Sequence, residues 1–438
     1  MKHLKRILFC LVSVIFSLTA ISPIPLSAYE KPEHIRIGLY YGSAEKPILR
    51  IDSEQGISLG YYANREFTKL LDTDTKSVLV RKDTYFTAGA SMTETDAGSL
   101  MAVYGPYHLE YASGLNAAQA AEKASNLRAN GTNAFVASVG SDTQVWAGNF
   151  LNETAATAAA NGAAKVVQSS ANGIQVVDAD TLQTLYLMDH PSLELGIRPN
   201  FTQPMEEKFT LDYKNSYRGG ASAKRLSGGN IRLANVVDLE QYLYSVISQE
   251  MSPSWHVEAL KAQAVCARNY AITNLNKHEK AYGVDLCSTV CCQAYPGIKS
   301  ETAQSYAPVD GTRGQLLTYQ GEVAQTFYAS SAGPKTEDVK NVWGSSIPYL
   351  VSVDNPYEDT ANVNNGVWSK QLTKARATEI MQSKGHNIGS VTNIEAVEYT
   401  PAGRVLKLKV TGTAGEKIFE REQCRLAFSE VTLSQMFT

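Results

Sequence analysis

At Asp238 the hydrophobic period of the chain changes from 2 to about 3.6, and that switch constrains the fold more than any other feature. Before it, Ile231-Arg-Leu-Ala-Asn-Val-Val237 alternates, with Ser227-Gly-Gly-Asn230 as the hairpin turn of a β region that begins at Tyr217-Arg-Gly-Gly220. After it, Leu239, Tyr242, Leu243, Val246 and Ile247 fall on one helical face, and Asp238 is a good N-cap. Pro253 forbids much continuation, so this helix ends near Glu250. A second helix, capped by Ser252 or Ser254, runs from Trp255 through Tyr270 to about Leu275. Val257, Leu260, Ala264 and Ala271 form its apolar stripe, while Lys261 and Arg268 share another side, two turns apart. The region is therefore a mixed α+β domain.

The remaining sequence adds further parts to this one. At 438 residues the chain holds about three domains' worth of protein at roughly 150 residues each. Lys plus Arg number 40 against 43 for Asp plus Glu, so no net basic field exists to hold nucleic acid. Met1, Lys2, His3, Lys5 and Arg6 form a positive head, followed by an apolar stretch from Ile7 to Ile21 and a small-residue exit at Ser27-Ala28. This is the pattern of a secretory signal spanning 1–28, cleaved after Ala28. The stretch falls short of the ~20 residues of a bilayer span, and an uncleaved anchor is the alternative, the one way in which the chain touches a membrane. The protein is expected outside the cytoplasm. Export leaves Cys266, Cys287, Cys291, Cys292 and Cys424, an odd set that cannot pair completely within one chain. Three of them crowd into Cys287-Ser-Thr-Val-Cys291-Cys292, a density typical of a metal site or a local disulfide.

Residues 29–103 read as a β-rich segment, from alternating runs such as Ile35-Arg-Ile-Gly-Leu-Tyr-Tyr41 and Ser77-Val-Leu-Val-Arg81. From Tyr107 the order becomes βαββα: a strand at 107–111, a helix at 117–129, strands at 134–138 and 143–147, and a helix from Glu153 to Val166, with Ile174-Gln-Val-Val177 as the closing strand. Tyr107-His-Leu-Glu-Tyr-Ala-Ser113 and Gln144-Val-Trp-Ala-Gly-Asn-Phe150, each followed by a helix, resemble the two halves of a SPOR domain over 104–172. That resemblance implies a ferredoxin-like fold that binds peptidoglycan strands stripped of their peptides. With Leu109, Tyr111, Val145 and Ala147 facing the helices, His108, Glu110, Gln144 and Trp146 face the other way, and Trp146 is a candidate for stacking on sugar rings if neighbouring β segments do not cover it. Residues 173–204 read as a connecting segment with short strands, and 205–438 as the C-terminal domain.

The stretch from Tyr217 to Tyr357 resembles the SpoIID/LytB family. The match rests on Val-Val-Asp-Leu-Glu-Gln-Tyr-Leu (236–243), Gln-Glu-Met (249–251), Ala-Leu-Lys-Ala-Gln-Ala-Val (259–265), Ala267-Arg-Asn-Tyr-Ala271, Asp285-Leu-Cys287, Cys292-Gln-Ala-Tyr295, Phe327-Tyr-Ala-Ser-Ser-Ala-Gly333 and Pro348-Tyr-Leu-Val-Ser-Val-Asp-Asn-Pro-Tyr357. Members of known activity are lytic transglycosylases acting on denuded peptidoglycan, and others are described as amidase enhancers. The resemblance implies that Glu250 is the catalytic acid. Its place at a helix C-terminus, where the dipole disfavours a carboxylate, suits a group that must hold a proton. It implies roles in substrate orientation for Lys261 and Arg268, whose alternative is a solvated helix face, and sugar contacts for Ser330 and Ser331, whose alternative is a turn cap. Some relatives hold zinc through Cys and His; here Cys287, Cys291, Cys292 and His278 are the corresponding set, with a structural zinc and a Cys287–Cys292 disulfide both open. The implied partners are peptidoglycan glycan strands and a cell-wall amidase, with the protein secreted to the wall or the outer face of the membrane.

Overall fold

A computed structural model of the protein describes residues 32–63, 65–88, 92–358 and 366–438. The signal or anchor expected at 1–28 lies outside the described residues. The architecture is α+β and multi-domain, in two compact units, Met1–Thr326 and Phe327–Thr438.

The first unit is built on two sheets that draw strands from distant parts of the chain. One has seven strands, in the order Leu286–Cys287, His34–Tyr40, Ile231–Asp238, Gly220–Arg225, Glu194–Pro199, Ile57–Ala63 and Glu66–Thr73. The other has ten, in the order Lys165–Gln168, Tyr107–Ala112, Asp142–Phe150, Ala134–Val139, Thr184–Asp189, Ile174–Asp178, Ser77–Lys82, Ile48–Asp52, Lys208–Leu211 and Asn215–Arg218. The described residues of 29–103 are β-rich, as their alternation predicts, but they do not stand apart. His34–Tyr40 pairs antiparallel with Ile231–Asp238, setting Ile35 opposite Val237. Ile35, Ile37, Val78 and Val80 are fully buried in one core with Leu233, Val237 and Leu243. A strand with one apolar face needs cover, and these strands find it in partners that arrive much later in the sequence.

Residues 107–168 fold as βαββαβ, with the strands Lys165–Gln168, Tyr107–Ala112, Asp142–Phe150 and Ala134–Val139 side by side and all antiparallel. This is the ferredoxin-like arrangement. The closing strand is Lys165–Gln168 and not Ile174–Val177. Asn161, with left-handed backbone at φ 42°, stops the second helix at Ala160 instead of near Val166, which frees residues 165–168 to pair with Tyr107–Ala112. Ile174–Asp178 pairs with Ser77–Lys82 and Thr184–Asp189, and the latter pairs in parallel with Ala134–Val139, so the sheet runs on past the ferredoxin-like part.

This layout overturns the open sheet face expected around Trp146. The ring is 2% exposed, packs with Phe135, Ala137 and Leu187, and lies stacked on His108 with centroids 5.2 Å apart. Its Nε1–H donates to Gln144 Oε1 at 2.7 Å, and His108, itself fully buried, bonds to Asp83 Oδ2 at 2.9 Å. The alternation is as read from sequence, with Val145 and Ala147 sharing a core with Ala120 and Ala124, but the opposite face is covered too. A buried ring cannot stack on a sugar. Trp146→Ala is expected to destabilise the protein by about 3–5 kcal/mol, the cost of deleting a large buried aromatic, measured by denaturant unfolding. Unchanged stability with lost glycan binding would contradict this placement.

The second unit has its own core. The helix Lys374–Ser383 forms where its apolar spacing predicts, and Val391–Tyr399, Val405–Gly412 and Gly415–Glu420 make an antiparallel sheet. Ile380, Met381, Leu408, Val410, Phe419 and Cys424 are buried together. Residues 205–438, expected as one domain, therefore divide at Thr326/Phe327.

Candidate functional site

Asp238 anchors the first helix of the site. Its Oδ1 accepts the N–H groups of Glu240 and Gln241, both at 2.9 Å, which satisfies two of the four unpaired donors of the helix start. Leu239, Tyr242, Leu243, Val246 and Ile247 are buried, and Met251 turns to extended backbone at φ −137°, so the helix Leu239–Glu250 stops where Pro253 requires. Glu250 is its last residue, half-buried, and its carboxylate makes no hydrogen bond or ion pair with other described residues. The next helix, Val257–Thr273, begins later than the sequence pattern suggests. Ser252 and Ser254 bond each other at 2.9 Å within a turn closed by Trp255 N–H to Ser252 O, and the cap is His256, whose Nδ1 accepts Glu258 N–H at 3.2 Å.

Lys261 and Arg268 do share one side of this helix, yet their environments differ completely. Lys261 is partly exposed and pairs with Glu258 at 2.8 Å, one turn away, a contact of little energetic weight. Arg268 is fully buried, and its guanidinium grips the buried Glu240 through Nε at 3.1 Å and Nη2 at 2.6 Å. Its Nη1 also donates to Gln315 O at 3.2 Å, and Gly314 N–H donates to Glu240 Oε1 at 3.2 Å. All three guanidinium nitrogens of Arg268 donate to groups inside the protein. The substrate-orienting role expected for Arg268 is therefore corrected to a structural one: it joins the two helices to the 309–315 segment.

Beyond the second helix the chain brings four metal-binding side chains together. His278, Cys287, Cys291 and Cys292 place their ligand atoms within 4.8 Å of one another. Cys287 sits on the strand Leu286–Cys287, which pairs in parallel with His34–Tyr40 at the sheet edge, and His278 caps the short helix Glu279–Tyr282. Asp285, between them, is fully buried and receives Arg36 Nη2 at 3.0 Å and Arg65 Nη2 at 2.8 Å. Although burial works against it, the two guanidinium groups hold its carboxyl below the usual carboxylate range and fix the approach to Cys287. The disulfide left open by the sequence is not formed: Cys266, Cys287, Cys291, Cys292 and Cys424 are free thiols. Cys287 is held well below the ordinary thiol range, first by the hydrogen bond from the Cys292 thiol and then by the Thr289 hydroxyl, while Cys292 is pushed up. The pair favours one thiolate. Tyr41, against Cys287, is pushed up to about 12 by burial and by that charge, and Lys277 donates to Cys291 O at 3.0 Å.

The strand, the helical pair and the Cys/His cluster all fall in one short stretch of sequence. Residues 227–319 match the model of the family described as SpoIID, Stage II sporulation protein. This segment is similar to the SpoIID family. Residues 355–438 match a second model, described as a domain of unknown function. The SpoIID protein of Bacillus amyloliquefaciens, Stage II sporulation protein D, is 32% identical over 199 residues, covering 40% of this chain and 54% of that protein. Its namesake in Bacillus subtilis is 29% identical over 157 residues, 33% of this chain and 43% of that one. The amidase enhancer of Bacillus subtilis is 38% identical over 132 residues, 30% of this chain and 17% of that protein. The chain thus spans between 17% and 54% of the length of the relatives it matches.

Ser330 and Ser331 lie past the matched SpoIID segment, in the second unit, and both are exposed. The Ser331 hydroxyl donates to Glu358, which also accepts Ala332 N–H at 3.0 Å and Asn355 Nδ2 at 2.9 Å. Ser331 thus closes a turn, the alternative to a sugar contact that the sequence left open. Other residues that shape the SpoIID segment carried no signal in the sequence. Arg36, on a strand, and Arg65, in the turn before Glu66–Thr73, reach Asp285 from more than two hundred positions away, and no local pattern announces such a pair.

Proposed function

We propose that this protein is a lytic transglycosylase acting on peptide-free glycan strands of peptidoglycan, cutting the MurNAc-GlcNAc bond with Glu250 as both acid and base. The observation that carries this reading is the position of Glu250: last residue of a helix, half-buried, with a carboxyl that engages no other described residue, inside the family-matched segment. In its protonated form the Glu250 carboxyl gives its proton to the bridging oxygen as the bond from that oxygen to C1 of the muramic acid breaks. The C6 hydroxyl of the same sugar then forms a bond to C1 and passes its proton to the Glu250 carboxylate, which restores the acid and leaves a 1,6-anhydro ring. No second carboxylate is needed, unlike in most glycosidases. Lys261, partly exposed and paired with Glu258, is the cation proposed to orient the strand.

The experiment is mass spectrometry of denuded glycan incubated with the full chain. Anhydromuramyl fragments are the expected products. The name of the amidase enhancer relative favours a second reading, a non-catalytic wall-binding protein that recruits or stimulates a cell-wall amidase. Intact strands that remain bound, with faster turnover by an added amidase, would establish that reading instead. Both readings place the protein at the wall or at the outer face of the cytoplasmic membrane.

The same segment is proposed to hold a structural zinc through Cys287, Cys291, Cys292 and His278. Zinc bonds of about 2.3 Å to sulfur and about 2.0–2.1 Å to nitrogen set tetrahedral ligand atoms about 3.5–3.8 Å apart, close to the spread of at most 4.8 Å seen here. The thiolate-rich set suits zinc, and Lys277 beside Cys291 offsets its surplus negative charge. Zinc would tie the loop after the second helix to the sheet edge. Metal analysis of the purified protein is expected to give one zinc per chain. Cys287→Ser should remove it and lower the thermal midpoint, and a chelator should do the same to the wild type but not to the variant. Metal-free protein with unaltered stability would exclude the site.

A further inference from the structure

The turn that follows Glu250 carries a tryptophan that the core does not use. Trp255 is 55% exposed, and its Nε1–H has no hydrogen-bond partner among the described residues. Tryptophan is on average a well-buried side chain, and Trp146 of this same chain is 2% exposed. The backbone that carries the exposed ring is fixed. Trp255 N–H donates to Ser252 O at 3.0 Å and closes a β-turn, Ser254 N–H donates to Ser252 Oγ at 3.4 Å, and His256 caps the helix Val257–Thr273 directly afterwards. The Cα atoms of Glu250 and Trp255 therefore lie no more than about 15 Å apart, at about 3.8 Å for each of two steps and at most about 7 Å across the turn.

Val257, 42% exposed, adds to the apolar surface, and Lys261, the cation assigned to strand orientation, stands one helical turn beyond it. An indole and one valine, bordered by the exposed Ser252, Ser254, His256 and Glu258, make a patch far below the roughly 800 Å² that a stable protein partner covers on each side. A single sugar ring suits it. The axial C–H groups of a pyranose pack on an aromatic face while its hydroxyls meet the polar rim. That face carries the negative part of the ring quadrupole, which disfavours the lactyl carboxylate of a peptide-free muramic acid. N-acetylglucosamine has no such group. We propose that Trp255 is a stacking platform for an N-acetylglucosamine ring of the strand bound at Glu250, and so sets the register in which the alternating sugars enter. The identity of the strand rests on the reading of Glu250 as the acid. The stacking does not, because a non-catalytic wall-binding protein would use the ring in the same way.

The test titrates the full chain carrying Glu250→Gln, which cannot cut, with an N-acetylglucosamine tetramer, and follows both heat and tryptophan emission. Binding should move the emission to shorter wavelength as water leaves the exposed indole. Adding Trp255→Ala should abolish that movement and weaken affinity about tenfold, whereas Trp255→Phe, which keeps a ring face, should lose no more than about threefold. In the chain that retains Glu250, Trp255→Ala should raise KM for denuded strands about tenfold while kcat falls less than about threefold. A side chain more than half exposed can be replaced without loss of fold, so the thermal midpoint of each variant should stay at that of its parent. No binding of the tetramer by the parent, affinity indifferent to Trp255→Ala, or a Phe variant as weak as the Ala variant would overturn the proposal. Strands that stay uncut, with binding that still falls on Trp255→Ala, would remove Glu250 from the chemistry and leave the platform standing. Strands cut at a KM indifferent to Trp255 would do the reverse.

Discussion

Glu250→Gln is expected to leave denuded glycan strands uncut while the protein keeps its fold and its hold on them. Glutamine preserves the shape and a hydrogen-bonding oxygen but can neither give nor take the proton. In the proposed reaction one carboxyl performs both transfers, so the loss removes the acid and the base at once. General acid–base groups each contribute about 10²–10⁴-fold in rate, and the variant should fall by at least about 10³-fold in anhydromuramyl product. Stability should change by no more than about 0.5 kcal/mol, because Glu250 is half-buried at a helix end and engages no described neighbour. The helix is held by its Asp238 cap and by the buried Leu239, Tyr242, Leu243, Val246 and Ile247 along its length. Product mass spectrometry, a thermal melt and a glycan pull-down on one preparation check all three parts. Product formed at the wild-type rate would remove Glu250 from the chemistry, and a lower melting point would mean that the loss of product reports unfolding.

How much of this was legible depends on how local each signal is. The Leu239–Glu250 helix was readable because the cap, the apolar stripe and the stopping proline all lie within sixteen residues of one another, from Asp238 to Pro253. The Cys/His cluster was readable from spacing, since Cys287, Cys291 and Cys292 lie within six consecutive residues and only His278 comes from outside them. What could not be read was which face of each strand would be covered. Trp146 alternates as a surface residue does, and nothing near it in sequence reveals that the sheet continues through Thr184–Asp189 and Ile174–Asp178 or that His108 stacks on its ring. The same limit applies to residues 29–103. Their strands look self-contained by alternation, but the sheets to which they belong are completed by strands between 107 and 238 and by residues 286–287. Long-range pairing leaves no mark on the period of either partner.

Arg268 is the sharpest case of that limit, and replacing it should produce the largest loss of stability at the site. On a helical wheel it looks like Lys261, a long cation on a polar side. In the fold it is enclosed, with its charge answered by Glu240 at 2.6 Å and its other donors given to Gln315 O, Val309 O and Thr312 Oγ1. Arg268→Met would leave the Glu240 carboxylate buried without its counter-charge, and breaking one side of a buried pair costs about 3–5 kcal/mol. Lys261→Ala, which breaks only an exposed pair, should cost at most about 1 kcal/mol. The double variant Glu240→Leu with Arg268→Met should recover much of the loss, because two apolar side chains of similar volume can replace a buried pair with little penalty. Urea unfolding of the three variants measures the series. If Arg268 instead met the substrate, the single variant would keep its stability and lose turnover, and the double variant would be no better. A recovered midpoint in the double variant, accompanied by recovered product, would mean that Arg268 supports catalysis by holding the Glu250 helix against the 309–315 segment and not by touching the glycan.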